Sequence, residues 1–295
     1  MQTMSLAAFS ADVAAIAQQA SQSTVALHDR RHSFSGFYWR PDVIATAAEL
    51  VSMRKGEKIA ALTPSQEEVE GAVIGRDTST DVALIRVPAT APPVSPSPTA
   101  PPLGTTVLTA GRTRHGPTCA VGSIALVGAR WRSMRGGDVG PRIWLDVRLR
   151  SQSEGGPVLD ADGHFVGMAV YGPRHRVLLI PAETIERVGQ ELLTHGRIRR
   201  GYLGVGLQAV QVARGSQDGA ARAGLMVIGL DPEGPAAKAG VQQGDIILAF
   251  DGNATASVRD LAAMLHNADL AKPASLDISR STRNMKVSVT LAERQ

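Results

Sequence analysis

Apolar and polar positions along the chain alternate in short runs. Ser23-Thr24-Val25-Ala26-Leu27 is the first of them, followed by Phe34 to Trp39, Val43 to Thr46, Lys58 to Leu62, Val69 to Ile74 and Val82 to Val87. Turn residues such as Arg40-Pro41-Asp42 separate the runs. Short strands at this spacing predict a barrel or sandwich and argue against a parallel sheet. A second set covers Thr106-Val107-Leu108, Cys119 to Val127, Ile143 to Leu149, Pro157-Val158-Leu159, Phe165 to Tyr171 and Arg176 to Ile180, with Asp160-Ala161-Asp162-Gly163 as a hairpin turn. Between the sets, residues 88–102 are Pro-rich, which excludes a helix or a central strand and predicts an extended connection.

The apolar spacing changes to a helical period in three places. Leu6, Phe9, Val13 and Ile16 mark an N-terminal helix or arm over residues 5–20. Ile185, Val188, Leu192 and Leu193 mark a helix that opens at Pro181 and stops at Gly196. Val258, Leu261, Met264 and Leu265 mark a third, over Ser257 to Asn267. Arg197 to Arg200 reads as a linker. The expected division is an arm over 1–22, a β domain over 23–196 and a smaller domain over 197–295.

Composition narrows the function. Of 295 residues, 43% are apolar and 20% charged, so both domains have material for a core. A net charge of +4, with no basic run longer than the pairs Arg30-Arg31 and Arg199-Arg200, does not describe a nucleic-acid footprint. Cys119 is the only cysteine, which excludes an intramolecular disulfide and predicts a small buried hydrophobe. No apolar stretch approaches the roughly 18 residues of a membrane span. Ser10, Asp12, Gln18 and Gln19 interrupt the first twenty residues, which lack the pattern of a secretory leader, so a cytoplasmic chain is expected if Met1 is the native start. No cofactor or metal site is expected.

Several segments resemble the HtrA (high-temperature-requirement) family of trypsin-like serine proteases bearing PDZ domains. Ser35-Gly36-Phe37 with Val43-Ile44-Ala45-Thr46 resembles the strands leading to that family's catalytic histidine. The run Ile74-Gly75-Arg76-Asp77-Thr78-Ser79-Thr80-Asp81-Val82-Ala83-Leu84 looks like the segment carrying its aspartate. Glu154-Gly155-Gly156-Pro157-Val158-Leu159 resembles the strand after its nucleophile. Gly234-Pro235-Ala236-Ala237-Lys238-Ala239-Gly240 through Gly244-Asp245-Ile246-Ile247-Leu248 resembles the core of its PDZ domain. The resemblance covers roughly residues 23–293 and implies a mainly β fold: a chymotrypsin-like double β-barrel followed by a small PDZ domain.

Carried onto this chain, the family's triad falls on Glu49, Asp81 and Glu154, and one oxyanion donor falls on Gln152. A serine protease needs an imidazole base, an orienting carboxylate and a hydroxyl nucleophile. Loss of one such member costs roughly four to six orders of magnitude in rate. With Glu49 and Glu154 at the histidine and serine positions, a non-enzyme is expected: a pseudoprotease that binds protein or peptide partners as a scaffold or assembly subunit. An endopeptidase built on Ser153 is the alternative from another class. A further alternative is a cation held by the three carboxylates; otherwise the glutamates point to solvent or pair with arginines such as Arg148 or Arg150. In the PDZ block, Tyr202, Leu203, Gly204 and Val205 correspond to the carboxylate-binding loop, and Leu261 and Leu265 to the helix lining the peptide groove. The family's active members oligomerise, so a homo-oligomer is also expected.

Overall fold

A computed structural model of the protein describes residues 5–29, 32–88, 90–199, 201–212, 222–266, 268–281 and 283–293. Arg30-Arg31, Ala89, Arg200 and Asn267, each within a segment discussed above, lie outside the described residues. The chain divides into two compact units, Met1–Ile198 and Arg199–Gln295.

The first unit opens with α1 (Leu6–Ser21), started by Ser5, whose hydroxyl accepts the Ala8 N–H at 3.1 Å. Two closed barrels follow. The first contains β1 (Thr24–His28), β2 (Ser33–Arg40), β3 (Val43–Thr46), β4 (Lys58–Leu62), β5 (Glu68–Asp77) and β6 (Val82–Arg86), in the order β1-β2-β3-β6-β5-β4. The second contains β7 (Thr106–Thr113), β8 (Gly116–Arg132), β9 (Asp138–Asp146), β10 (Pro157–Leu159), β11 (Phe165–Tyr171) and β12 (Val177–Pro181), in the order β10-β11-β12-β9-β8-β7. Closure leaves neither sheet with an exposed edge.

Each barrel has its own aliphatic core, and a larger cluster joins them. Phe37, Trp39 and Leu84 of the first barrel pack there with Phe165, Met168 and Ile180 of the second. The Phe37 and Phe165 ring centroids lie 4.8 Å apart at 46°, a tilted pair that adds about 0.5–1.5 kcal/mol to simple burial. α2 (Ala182–His195) closes this cluster with Ile185, Val188 and Leu192. Gly189 lets the helix approach Trp39, because a Cβ there would sit 2.8 Å from the indole ring. Gly196 ends α2 in the left-handed conformation (φ 71°) and donates its N–H to the Leu192 carbonyl.

Cys119 corrects an expectation. It is exposed, because the alternating part of β8 turns its outward phase at Pro117, Cys119 and Val121. The cysteine obeys strand periodicity over its own preference for burial.

The second unit is one sheet in the order β14-β15-β16-β18-β19, with two small additions. Its elements are β13 (Gly201–Tyr202), β14 (Val205–Val212), β15 (Arg222–Leu230), α3 (Pro235–Lys238), β16 (Ile246–Phe250), β17 (Asn253–Ala254), α4 (Val258–His266), β18 (Ala274–Arg280), β19 (Arg283–Val289) and β20 (Ala292–Glu293). Leu225, Ile247, Leu276, Ile278 and Val289 form its core with Leu203 and Leu261. Buried Asp245 is held by Arg280, whose Nε and a terminal nitrogen each donate to it at 2.7 Å. α4 packs against β13 and β14.

Candidate functional site

In the first unit, β3 delivers the chain into a turn at Ala47-Ala48-Glu49, and the β5–β6 turn delivers Asp81 beneath it. Asp81 adopts φ 60°, a conformation uncommon outside glycine. Its carboxylate accepts the Glu49 N–H at 2.8 Å. Burial pushes the Asp81 carboxyl up to about 7, the Glu49 and Glu154 charges add to the rise, and the Glu49 and Ala48 amides oppose it. Near neutral pH this group is therefore divided between acid and base.

Glu154 enters from the second barrel, after a tight 3-10 turn over Ser151–Ser153. Gly155 follows in the left-handed region (φ 80°), and a Cβ there would meet the Ser35 carbonyl at 2.5 Å. The two barrels meet here, where the Ser35 N–H donates to the Glu154 carbonyl at 3.0 Å. Glu154 Oε1 accepts the Tyr171 N–H at 2.9 Å. Burial chiefly raises its pKa, with the Glu49 charge adding and the Tyr171 amide opposing. Glu49 itself pairs with Arg135 at 2.8 Å, and the same guanidinium nitrogen donates to the Thr78 carbonyl at 3.0 Å. The arginine on Glu49 is thus Arg135, from the β8–β9 turn, in place of the expected Arg148 or Arg150. Only the pairing of that turn with the first barrel could reveal it.

Three further expectations meet the geometry here. Glu49, Asp81 and Glu154 influence one another electrostatically, yet they are not gathered as cation ligands. Among the described residues, the one group of three such side chains whose ligand atoms lie within 4.8 Å of one another is Asp160, Asp162 and His164, on the β10–β11 turn. Ser153 is buried and shares a 2.9 Å hydrogen bond with the Thr118 hydroxyl, so its oxygen faces the β7–β8 hairpin. The Gln152 carbonyl accepts the Ser35 hydroxyl at 2.6 Å, which ties that backbone to β2. A cleft of about 420 Å³ opens over the site, lined by Glu49, Asp81, Trp131, Met134, Arg135 and Tyr171 among others.

In the second unit, Gly204 turns the chain at φ 76° between β13 and β14, and its carbonyl accepts the Asp231 N–H at 2.8 Å. The Leu203 carbonyl accepts the Ala236 N–H at 2.9 Å, and the Tyr202 hydroxyl donates to Asp231 at 3.1 Å. The loop is therefore braced from behind. Among the described residues β14 is an edge strand, flanked by α4. Leu203 and Leu261 lie within the core, whereas Val205 and Leu265 are half-buried.

Fold and site together define a two-barrel, trypsin-like protein carrying a PDZ unit. Residues 34–168 match the family described as trypsin-like peptidase domain, and residues 201–291 match the PDZ domain family. A probable periplasmic serine endoprotease DegP-like from Brucella suis biovar 1 (strain 1330) is 31% identical over 174 residues, covering 57% of this chain and 34% of that protein. Its counterpart from Pseudomonas savastanoi pv. phaseolicola (strain 1448A / Race 6) is 28% identical over 274 residues, covering 87% and 55%. The chain thus spans about a third to a half of the length of the curated relatives it matches. The crystal structure of the serine endoprotease from Yersinia pestis superposes with a TM-score of 0.76 at 22% identity, covering 96% of this chain and 98% of that one. The HtrA-type protease AlgW with decapeptide gives a TM-score of 0.75 at 19% identity, covering 96% and 99%. The chain thus carries a trypsin-like peptidase domain followed by a PDZ domain, and it resembles HtrA-type proteases in both sequence and fold.

These relatives correct two expectations. They are named serine endoproteases, which points to a protease and overturns the expectation of a non-enzyme. That expectation rested on the side chains at two positions, Glu49 and Glu154, whereas the likeness to proteases extends over both units. The relatives are also named periplasmic, which overturns a cytoplasmic location inferred from the first twenty residues. Among the described residues, no helix is long and apolar enough to cross a membrane.

Proposed function

We propose that this chain is a periplasmic HtrA-type protein that captures polypeptide, and that its PDZ unit takes a C-terminal or extended peptide as an added strand on β14. The observation that carries this reading is the edge position of β14 between the Gly204 turn and α4. An unpaired strand edge supplies a row of backbone donors and acceptors, and a peptide strand satisfies them. In this reading the amides of the Tyr202–Val205 loop receive the terminal carboxylate, Leu203 and Leu261 form the floor of the side-chain site, and Val205 and Leu265 form its walls. The working boundaries are an arm over 1–22, the barrel unit over 23–196 and the PDZ unit over 197–295. Such a chain gathers partner proteins in an assembly or scaffolding role, and the resemblance to HtrA proteins extends this reading to a homo-oligomer.

Fluorescence polarisation of labelled peptides on the full chain tests the reading. Peptides ending in a free carboxylate should bind, and Leu265→Glu should weaken them at least tenfold. Equal binding by the variant, or no binding by any peptide, would refute the groove.

The relatives' names add a second reading, endoproteolysis in the barrel unit. The observation on its side is the cleft of about 420 Å³ above Asp81, a carboxyl able to exchange a proton near neutrality. Casein digestion by the purified chain tests it. Cleavage that disappears in Asp81→Asn would support it, and cleavage unchanged in that variant would trace to a contaminant or another site.

A further inference from the structure

Several arginines of the barrel unit are engaged. Arg40 pairs with Glu186, Arg86 with Asp42, Arg130 with Asp138 and Glu183, and Arg135 with Glu49. Arg114, His115 and Arg150 differ. Among the described residues none of them has a carboxylate partner, and all three are exposed. They line one concavity of about 400 Å³ together with Ser33, Thr118 and Gln152, and no acidic residue lines it.

The backbone beneath these side chains is fixed. Arg114 and His115 are the two loop residues of the tight hairpin from β7 to β8, where Thr113 pairs with Gly116. The Thr113 hydroxyl accepts the His115 N–H at 3.1 Å and donates to the Gly116 carbonyl at 3.2 Å. Arg150 stands just before the 3-10 turn, whose Gln152 is tied to Ser35. The uncompensated charge is felt nearby: burial first, then the Arg114 guanidinium, lowers the His28 pKa, against an opposing pull from Glu68.

Like charges held together on a fixed backbone repel until an anion lies between them. Guanidinium forks backed by hydroxyl and amide donors match a planar carboxylate. We infer that this pocket binds the carboxylate of an Asp or Glu side chain in a polypeptide lying across the barrel unit. A polypeptide is favoured over a free anion by position, since Gln152 on the pocket wall is two residues along the chain from Glu154. The inference rests on the reading that the barrel unit takes polypeptide, and it requires neither the PDZ groove nor cleavage.

The test uses the full chain and a labelled peptide with acetylated and amidated ends, so that no terminal carboxylate is offered to the PDZ unit. A Glu-containing peptide is compared with its Gln counterpart, and inorganic phosphate serves as competitor. The Glu peptide should bind at least tenfold more tightly, with affinity falling as salt rises. Arg114→Gln combined with Arg150→Gln should weaken it about tenfold, equivalent to about 1.4 kcal/mol. Arg86→Gln, a paired surface arginine of the same unit, should leave it unchanged. Both variants alter exposed side chains, and matched thermal melts establish that they fold. Equal affinity for the Glu and Gln peptides, or binding indifferent to the double substitution, would overturn the inference. So would phosphate binding without peptide binding, which would identify a small-anion site.

Discussion

Asp81→Asn keeps the size of the side chain and an oxygen for the Glu49 N–H, and it removes the charge. The wild-type carboxyl is raised from 3.8 to about 7, so the folded protein holds a proton there that the unfolded chain has released. Between these values the folded state binds more protons, and stability falls as pH rises from about 4 to about 7. At 1.36 kcal/mol per pK unit the full displacement is about 4 kcal/mol, and the partial exposure of Asp81 reduces the expected effect to about 2 kcal/mol. The variant should therefore be more stable than wild type by about 2 kcal/mol at pH 8, with the difference vanishing near pH 4. Urea unfolding followed by tryptophan fluorescence isolates the relevant unit, because Trp39, Trp131 and Trp144 are the chain's only tryptophans and all lie in the barrels. A stability difference that is flat across this range would refute the argument, as would a variant less stable at pH 8.

Other predictions test the supports of the two units. Gly155→Ala should cost about 3 kcal/mol in the same urea experiment, because a Cβ at φ 80° meets the Ser35 carbonyl and the Thr46 hydroxyl, 2.6 Å away. Arg280→Ala should destabilise the PDZ unit at neutral pH by leaving the Asp245 carboxylate, whose side chain is 1% exposed, with the Gln242 amide and no cation. Burial pushes that carboxyl up, but the Arg280 fork and the Gln242 amide outweigh it and hold it below its ordinary value. Its stabilisation is present above the unfolded pKa near 3.9 and is lost as pH falls through the folded one. The effect of Arg280→Ala should accordingly shrink below about pH 4, as read by hydrogen exchange of β18 amides. Glu49→Gln should remove the Arg135 ion pair at a cost within about 1 kcal/mol, since both side chains are more than half exposed, and should lower the Asp81 pKa toward its ordinary range by removing a repelling charge.

Strand periodicity and turn chemistry made much of this protein legible in its sequence. The alternating runs from Thr24 to Pro181 correspond to twelve strands in two barrels, and the helix between Pro181 and Gly196 carries its stop signal in a single glycine. The block from Gly234 to Leu248 announced the PDZ unit because its glycines occupy turns, at φ 85° for Gly240 and 92° for Gly244, that other residues rarely adopt. Such signals are local: a turn or a period of two depends on neighbours a few residues away. The environment of a side chain does not. Arg135 reaches Glu49 across 86 positions, Ser153 turns to Thr118, and Ser33, Arg114 and Arg150 meet in one concavity only because distant strands close the barrels. The proton affinity of Asp81 is likewise a property of the closed structure, for desolvation and repulsion exist only once Glu49 and Glu154 have been folded against it. The identities at positions 49, 81 and 154 were written in the sequence, whereas their charge states and partners were decided by tertiary packing, because electrostatic energy depends on distance and burial in space.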